Sequence, residues 1–335
     1  MSKSVFITGA TGYIGGATLS LLLESPTTKS FSYSALVRNK NKAVLLESLG
    51  VRPVLGSLGD ATILADEAEK ADIVIHTADS SDHVPSCKAI LEGMQRRSDK
   101  PILIHISGTG TLRDDARGEY PTDNIYSDLD PDHINSLPDD AFHRNVDLLV
   151  LAASPKVRTH IVLPPTIFGV AENLLVKKGI ANPVSKQLPE FIGACVARGQ
   201  TGVLGKGANI WPFVHIEDIA TAILAVFEAA IEGRTATGRE GYYFGETGEY
   251  THYDVARELA RTLHARGIGT AEPTPFSAED MSKYWGGSYY VGTNSRCRAE
   301  RTRQLGWKSV HKEEEFLQSI GPEVDFFFKQ QAENK

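Results

Sequence analysis

Short, largely β-branched apolar runs recur through the first half of the chain, at 5–7, 33–37, 51–55, 72–77, 101–107 and 157–163. Polar and helix-compatible stretches separate them. Runs of this kind suit strands covered on both faces. Strands that alternate with helices predict an α/β fold built on a doubly wound parallel sheet. The first helix is predicted to end near Glu24, before Pro26, a second to span 86–97, and the one between the fifth and sixth strands to span 139–154. Two stretches break the rhythm. Residues 108–138 are polar and rich in Asp with no periodicity, and so long a loop inside a compact domain is usually functional or mobile. After Pro164 the segments alternate between two destinations. Residues 1–167, with 211–247 returning to them, are expected to form the sheet domain; 168–210 and 248–330 form a smaller C-terminal lobe over the substrate. The polar tail 330–335 is expected to fray.

The segment between the first strand and its helix carries the chemistry. In Val5-Phe6-Ile7-Thr8-Gly9-Ala10-Thr11-Gly12-Tyr13-Ile14-Gly15-Gly16, glycines stand at 9, 12 and 15. A strand, a glycine-rich turn and a helix start place free amides and the positive end of the helix dipole against a pyrophosphate. The glycines allow the tight turn and the close approach of the ligand. About twenty residues on, where an acidic residue binds the ribose diol of NAD, the chain carries Arg38, followed by Lys40 and Lys42. A guanidinium pairs with a 2′-phosphate. The expected cofactor is therefore NADP, the alternative for Arg38 being a solvated basic loop.

Composition removes whole classes of function. The 335 residues are 41% hydrophobic and 23% charged, as in an ordinary soluble globular protein. A net charge of -7 argues against nucleic acid. The most apolar helix, 219–231, is far short of a membrane span, and Met1-Ser2-Lys3 leads into the first strand with no signal-peptide pattern. Cys87, Cys195 and Cys297 fit neither a disulfide framework nor a zinc site, which suggests a reducing cytoplasmic setting. The expected partner is a small-molecule substrate, with a homodimer left open.

Thr8-Gly9-x-x-Gly12-x-x-Gly15 resembles the motif of the extended, epimerase/dehydratase-like short-chain dehydrogenases/reductases. The resemblance implies a Rossmann domain that holds a nicotinamide dinucleotide through Gly9, Thr11, Gly12, Tyr13, Ile14 and Gly15. It further implies that Asp60 contacts the adenine amino group, with a helix N-cap as the other reading. It places Thr77 and Ala78 beneath the cofactor ribose, and Pro164 and Thr166 in a segment facing the carboxamide. One landmark is missing. The family carries Tyr-x-x-x-Lys on the helix after the fifth strand, and no tyrosine of this chain is followed four places later by lysine. Counting along 139–154 puts Asp139 and His143 where that pair belongs.

The remaining candidates for chemistry are Ser107, Thr109 and His143. The family counterpart of Ser107 or Thr109 bonds the substrate oxygen, although either hydroxyl could instead serve the turn. His143, at i±4 from Asp139 and Asp147, either contacts the ribose, shuttles a proton, or simply packs. Tyr120 and Tyr126 are alternative proton donors from the long loop. His215, Glu217 and Asp218 match a landmark in which Asp218 caps the next helix, and are read as structural with no metal. Trp211 is a candidate lining residue. The aromatic run 284–290 is either a plate for a flat ligand or core, and Leu305-Gly306-Trp307 reads as packing.

Three functions remain in play. The leading one is an NADP(H)-dependent oxidoreductase acting on a small carbonyl, imine or activated alkene through a non-standard site. The second is a redox-neutral epimerase, isomerase or lyase, with Arg296, Arg298, Arg301 and Arg303 as a potential phosphate clamp. The third is a non-catalytic NADP(H)-sensing regulator.

Overall fold

The apolar runs become one sheet. The structure is a computed structural model that describes residues 3–333. Its main strands are β1 (Ser4–Thr8), β2 (Ser32–Val37), β3 (Val51–Leu55), β4 (Ile73–His76), β5 (Ile102–Ile106), β6 (Arg158–Leu163) and β7 (Tyr242–Phe244). They lie in the order β7-β6-β5-β4-β1-β2-β3, and every neighbouring pair is parallel. The helices that concern the site are α1 (Tyr13–Glu24), α2 (Lys40–Glu47), α3 (Ala61–Lys70), α4 (Val84–Gln95), α5 (Arg144–Ala152) and α6 (Ile216–Ile231). α1 packs on α6, and α4 lies between α3 and α5. Val5, Phe6, Ile7, Ile73, Val74 and Ile104 are buried in the layer between, which explains why these strands read as unbroken apolar runs. Chain order reverses beside β1, so the ends of β1 and β4 open a crevice where ligands of such sheets bind.

A second core gathers Phe168, Phe191, Phe213, Leu259 and Phe316. It packs on a three-stranded sheet of Thr166–Phe168, Ile210–His215 and Gly248–Thr251. Residues 211–247 thus divide between the two cores. Ile210–His215 belongs to the small sheet, whereas β7 completes the large one and α6 lies on α1.

Three local expectations need correction. The helix expected over 139–154 begins only at Arg144, because His143 adopts a left-handed conformation at φ 67° and cannot continue a helical turn. The acidic stretch 108–138 is not a free loop. Buried Asp128 accepts hydrogen bonds from the amides of Phe244, Arg301 and Thr302, and Asp114 accepts from the amide and side chain of Asn294. These two carboxylates tie the stretch to Asn294, Arg301 and Thr302 of the second lobe and to β7 of the large sheet. Gln330 to Glu333 continue the C-terminal helix Ile320–Glu333, and Asn334 and Lys335 lie outside the described residues.

Candidate active site

Gly9 carries a positive φ of 82°. A Cβ on Gly15 would lie 2.2 Å from the Gly9 carbonyl oxygen and 2.5 Å from Thr77 Oγ1. Only glycine lets α1 start this close to β1 and β4. Thr77 fixes the distance: its hydroxyl donates to the Thr8 carbonyl at 2.6 Å, and its amide donates to Thr8 Oγ1. No side chain caps α1 at Gly12, so the amides of its first turn are left to a ligand. In front of them runs a groove of about 840 Å³. Such a cradle fits a dinucleotide pyrophosphate.

Gly9, Thr11, Gly12, Tyr13, Ile14, Gly15, Arg38, Thr77 and Ala78 all line this one groove. Asp60, Pro164 and Thr166 do not. The Asp60 carboxylate accepts from the Ser57 amide at 2.6 Å and the Ser57 hydroxyl at 2.8 Å, which hold it below the usual carboxylate range. It stands at the N-cap of α3 but makes no capping bond, and it shapes the loop whose Gly56, Ser57 and Gly59 face the groove. Pro164 and Thr166 have the wrong strand parity. Pro165 and Ile167 face the groove, while Thr166 turns its hydroxyl to Tyr250 at 2.9 Å and Gln187 at 3.1 Å. The 182–187 segment, with Asn182 and Gln187, closes the groove from the small lobe, and its sequence carries no motif that flags this.

At the ribose end the exposed Arg38 guanidinium makes no hydrogen bond or ion pair with any described residue. Its groove neighbours Leu36, Val37, Gly56, Ser57, Leu58 and Gly59 include no carboxylate. Asn39 caps α2 by accepting from the amides of Asn41 and Lys42, which sets where Arg38 leaves β2.

Past the end of β5, and outside the lining of this groove, Ser107 and His143 are each paired with an acid. Ser107 donates to buried Asp147 at 3.1 Å. Since a carboxylate only accepts, the Ser107 proton is committed and its lone pairs are free. His105 Nε2 stands 3.6 Å from the other Asp147 oxygen, and its Nδ1 lies 3.3 Å from Nδ1 of His76, the register partner on β4. Burial drives His76 well below the usual histidine range. His143 packs over Gly108 and Gly110 and donates from Nδ1 to Asp82 at 2.7 Å. Burial lowers its pKa, with Asp82 acting in the opposite direction, so at neutral pH the ring is uncharged and Nε2 is an acceptor. Neither of the expected helical carboxylates orients this ring. Phe142 lies tilted against it, ring centroids 3.7 Å apart, and carries the Arg113 guanidinium 3.9 Å above its own face.

Thr109 is fully buried, with its amide on the Pro164 carbonyl and its hydroxyl unpartnered, so it does not join Ser107. Tyr120 is exposed, and Tyr126 stacks on His133 at 4.1 Å in a ladder with Cys297–Arg298; neither lines the groove. Trp211 donates to the Thr293 carbonyl at 2.6 Å beside a small cavity with Tyr250 and Tyr290. Trp285 packs among Phe191, Phe276 and Tyr290 and lies with Tyr290 half-buried against the second core, while Tyr289 is exposed. Trp307 is packed, its indole donating to the Asp218 carbonyl at 3.0 Å.

A buried acid braces the back of the cradle. Tyr13 donates to the carbonyl oxygens of Phe168 and Gly169, and Glu323 accepts from the Gly169 amide at 3.0 Å while its second oxygen has no partner. Burial pushes Glu323 up to about 7. An acid whose pKa is raised on folding loses stability as pH climbs from its unfolded value through the folded one. Stability should therefore fall by about 3 kcal/mol between pH 4.5 and 7 and then level off. Glu323→Gln keeps an acceptor for Gly169 and should remove this slope; urea melts across the range would show it, and an unchanged slope would contradict it.

The family comparisons agree with this geometry. A family model described as NAD(P)H-binding matches residues 9–133, and the NAD dependent epimerase/dehydratase family model matches 145–237. The chain is 31% identical to a protein of Acremonium sp named oxidase ucsJ, over 92% of this chain and 94% of that one. It is 33% identical to a sterol-4-alpha-carboxylate 3-dehydrogenase, decarboxylating, of Dictyostelium discoideum, over 84% and 83%. Among solved structures, a dTDP-glucose 4,6-dehydratase of Streptomyces venezuelae with NAD bound superposes at a TM-score of 0.65, with 17% identity over 98% of both chains. The chain belongs to the extended short-chain dehydrogenase/reductase family, with its NAD(P)-binding and epimerase/dehydratase regions. No described helix is long and apolar enough to cross a membrane.

Proposed function

We propose that the protein is an NADP(H)-dependent oxidoreductase acting on a small organic substrate of the carbonyl, imine or activated-alkene type, or on its reduced counterpart. The observation that carries the cofactor preference is the unpaired Arg38 guanidinium at the ribose end of a groove whose lining there includes no carboxylate. The first turn of α1 would hold the pyrophosphate, and Arg38 the 2′-phosphate. When bound, the nicotinamide supplies or accepts hydride.

The chain's own groups handle the proton. Ser107, its hydrogen given to Asp147, accepts a hydrogen bond from a substrate O–H or N–H. His143, oriented by Asp82, offers Nε2 as the base in oxidation; in reduction Nε2 first takes a proton from water and then gives it to the substrate. His143→Gln and Asp82→Asn should each lower turnover roughly 100-fold with NADPH affinity unchanged, as general acid–base groups do. Turnover at the wild-type rate in both would remove them from the chemistry. The deciding experiment is deuteride transfer from labelled NADPH across a panel of carbonyls, imines and enones. Transfer to product supports the reading. NADPH binding without transfer anywhere in the panel would favour the sensing regulator.

A redox-neutral reaction on a nucleotide sugar is the second reading, favoured by the dTDP-glucose 4,6-dehydratases among the similar proteins. Against it, the candidate phosphate clamp is already engaged. Arg296 and Arg298 both bind Glu249, Arg303 binds Glu246, and Arg301 donates to the Asp128 carbonyl. Micromolar binding of a nucleotide sugar would restore that reading.

A further inference from the structure

The His-x-Glu-Asp turn at the start of α6 carries too few ligands by itself, but the fold brings a second imidazole to it. We propose that His215, His311 and Glu217 form a binding site for a divalent transition-metal ion of zinc's class, with Glu315 beside it and Asp218 orienting His311.

The argument begins with Asp218. It is buried, and it does not cap its own helix; that bond is made by His215 Nδ1, which accepts from the Glu217 amide at 3.3 Å. Asp218 instead reaches the distant 310–311 segment. It accepts from the Val310 amide at 2.9 Å, the His311 amide at 3.0 Å and His311 Nδ1 at 3.2 Å. A carboxylate only accepts, so His311 carries its hydrogen on Nδ1 and turns the Nε2 lone pair outward. That nitrogen faces Glu217 at 3.8 Å and Glu315 at 4.0 Å. A lone pair between two carboxylates, with a third behind the ring, calls for positive charge at Nε2. A carboxylate on the far nitrogen is also the arrangement that aligns metal-bound histidines.

His215 completes the set. Its ring lies 3.6 Å from that of His311, centroid to centroid, at an interplanar angle of 27°. Its Nδ1 accepts from the Glu217 amide, so its lone pair lies on the side of Glu217. One ligand atom each from His215, Glu217 and His311 lie within 4.8 Å of one another. Ligands around a tetrahedral zinc ion are about 3.4 Å apart, so the site needs to contract by roughly 1 Å. Glu217 is exposed and free to move, the two stacked rings must turn so that both lone pairs meet one ion, and the long amide bond to His215 is the one the ion would displace. Two imidazoles and a carboxylate are a donor set for zinc, nickel or copper rather than magnesium or calcium. The ion would join the 307–311 segment to the strand Ile210–His215, whose last residue packs against Gly169 at the back of the cradle.

The test uses the full chain, stripped with chelator and titrated with Co²⁺ by visible absorption and with Zn²⁺ by calorimetry. One equivalent of Co²⁺ per chain should bind with d–d bands that Zn²⁺ abolishes, and Zn²⁺ should raise the unfolding midpoint. His311→Gln and Glu217→Gln should each weaken Zn²⁺ at least about tenfold while NADPH affinity is unchanged. Glu217 is exposed, so its variant tests the site even where His311→Gln unfolds. Absence of saturable uptake, or uptake unaltered in both variants, would overturn the proposal.

Discussion

Arg38→Asp is expected to weaken NADPH binding by about 100- to 1,000-fold and to make NADH the preferred cofactor. The size follows from two terms acting together. A charge-assisted hydrogen bond contributes about 1.5–3 kcal/mol, roughly a factor of 10 to 100 in affinity. The new carboxylate then repels a 2′-phosphate while accepting hydrogen bonds from the unphosphorylated ribose diol. The site is suited to the exchange, because Arg38 makes no internal bond whose loss would disturb the fold, and Asn39 keeps capping α2. Parallel fluorescence titrations of the unmodified protein and the variant with NADPH and NADH would check this. An unchanged ratio of dissociation constants would show that Arg38 is a solvated loop residue.

Gly15→Ala is expected to have the second large effect, on binding and stability together. The added methyl would sit 2.2 Å from a backbone oxygen and 2.6 Å from the Gly9 carbonyl carbon, so no side-chain rotation relieves it. Either α1 moves off β1 or the glycine turn opens. Overpacking against a rigid neighbour costs about 3 kcal/mol. The displacement also turns the first-turn amides away from the pyrophosphate, so dinucleotide binding should fall below detection in the same variant. Retention of wild-type affinity and melting temperature would mean that α1 does not need its close approach to β1 and β4.

Much of this was legible in the chain because it depends on local chemistry. Runs such as 5–7 and 73–75 are apolar whichever way their residues point, so a strand buried on both faces needs no phase information. The glycine turn and Arg38 announce themselves by position relative to the first two strands. What was not legible depends on parity or on distant partners. Pro164 and Thr166 sit in the right segment, yet a strand presents alternate residues, and Pro165 and Ile167 are the ones that face the groove. Helix α5 was expected to start five residues earlier because nothing in the composition around Asp139 reveals the left-handed turn at His143.

Partnerships across long sequence separations were likewise silent. Asp82 reaches His143 across 61 residues, Ser107 reaches Asp147 across 40, and Asp218 reaches His311 across 93. The acidic loop is the clearest case. Its composition resembles a solvated, mobile segment, but Asp114 and Asp128 are spent on amides of the second lobe. A carboxylate that anchors backbone is indistinguishable in sequence from one that faces water.

The most direct measurement is calorimetric titration of the unmodified protein with NADPH and NADH under identical salt. One NADPH per chain, bound at least about tenfold tighter than NADH, is the expected result for a free guanidinium meeting a 2′-phosphate. Equal affinity for the two nucleotides, or no heat with either, would contradict it.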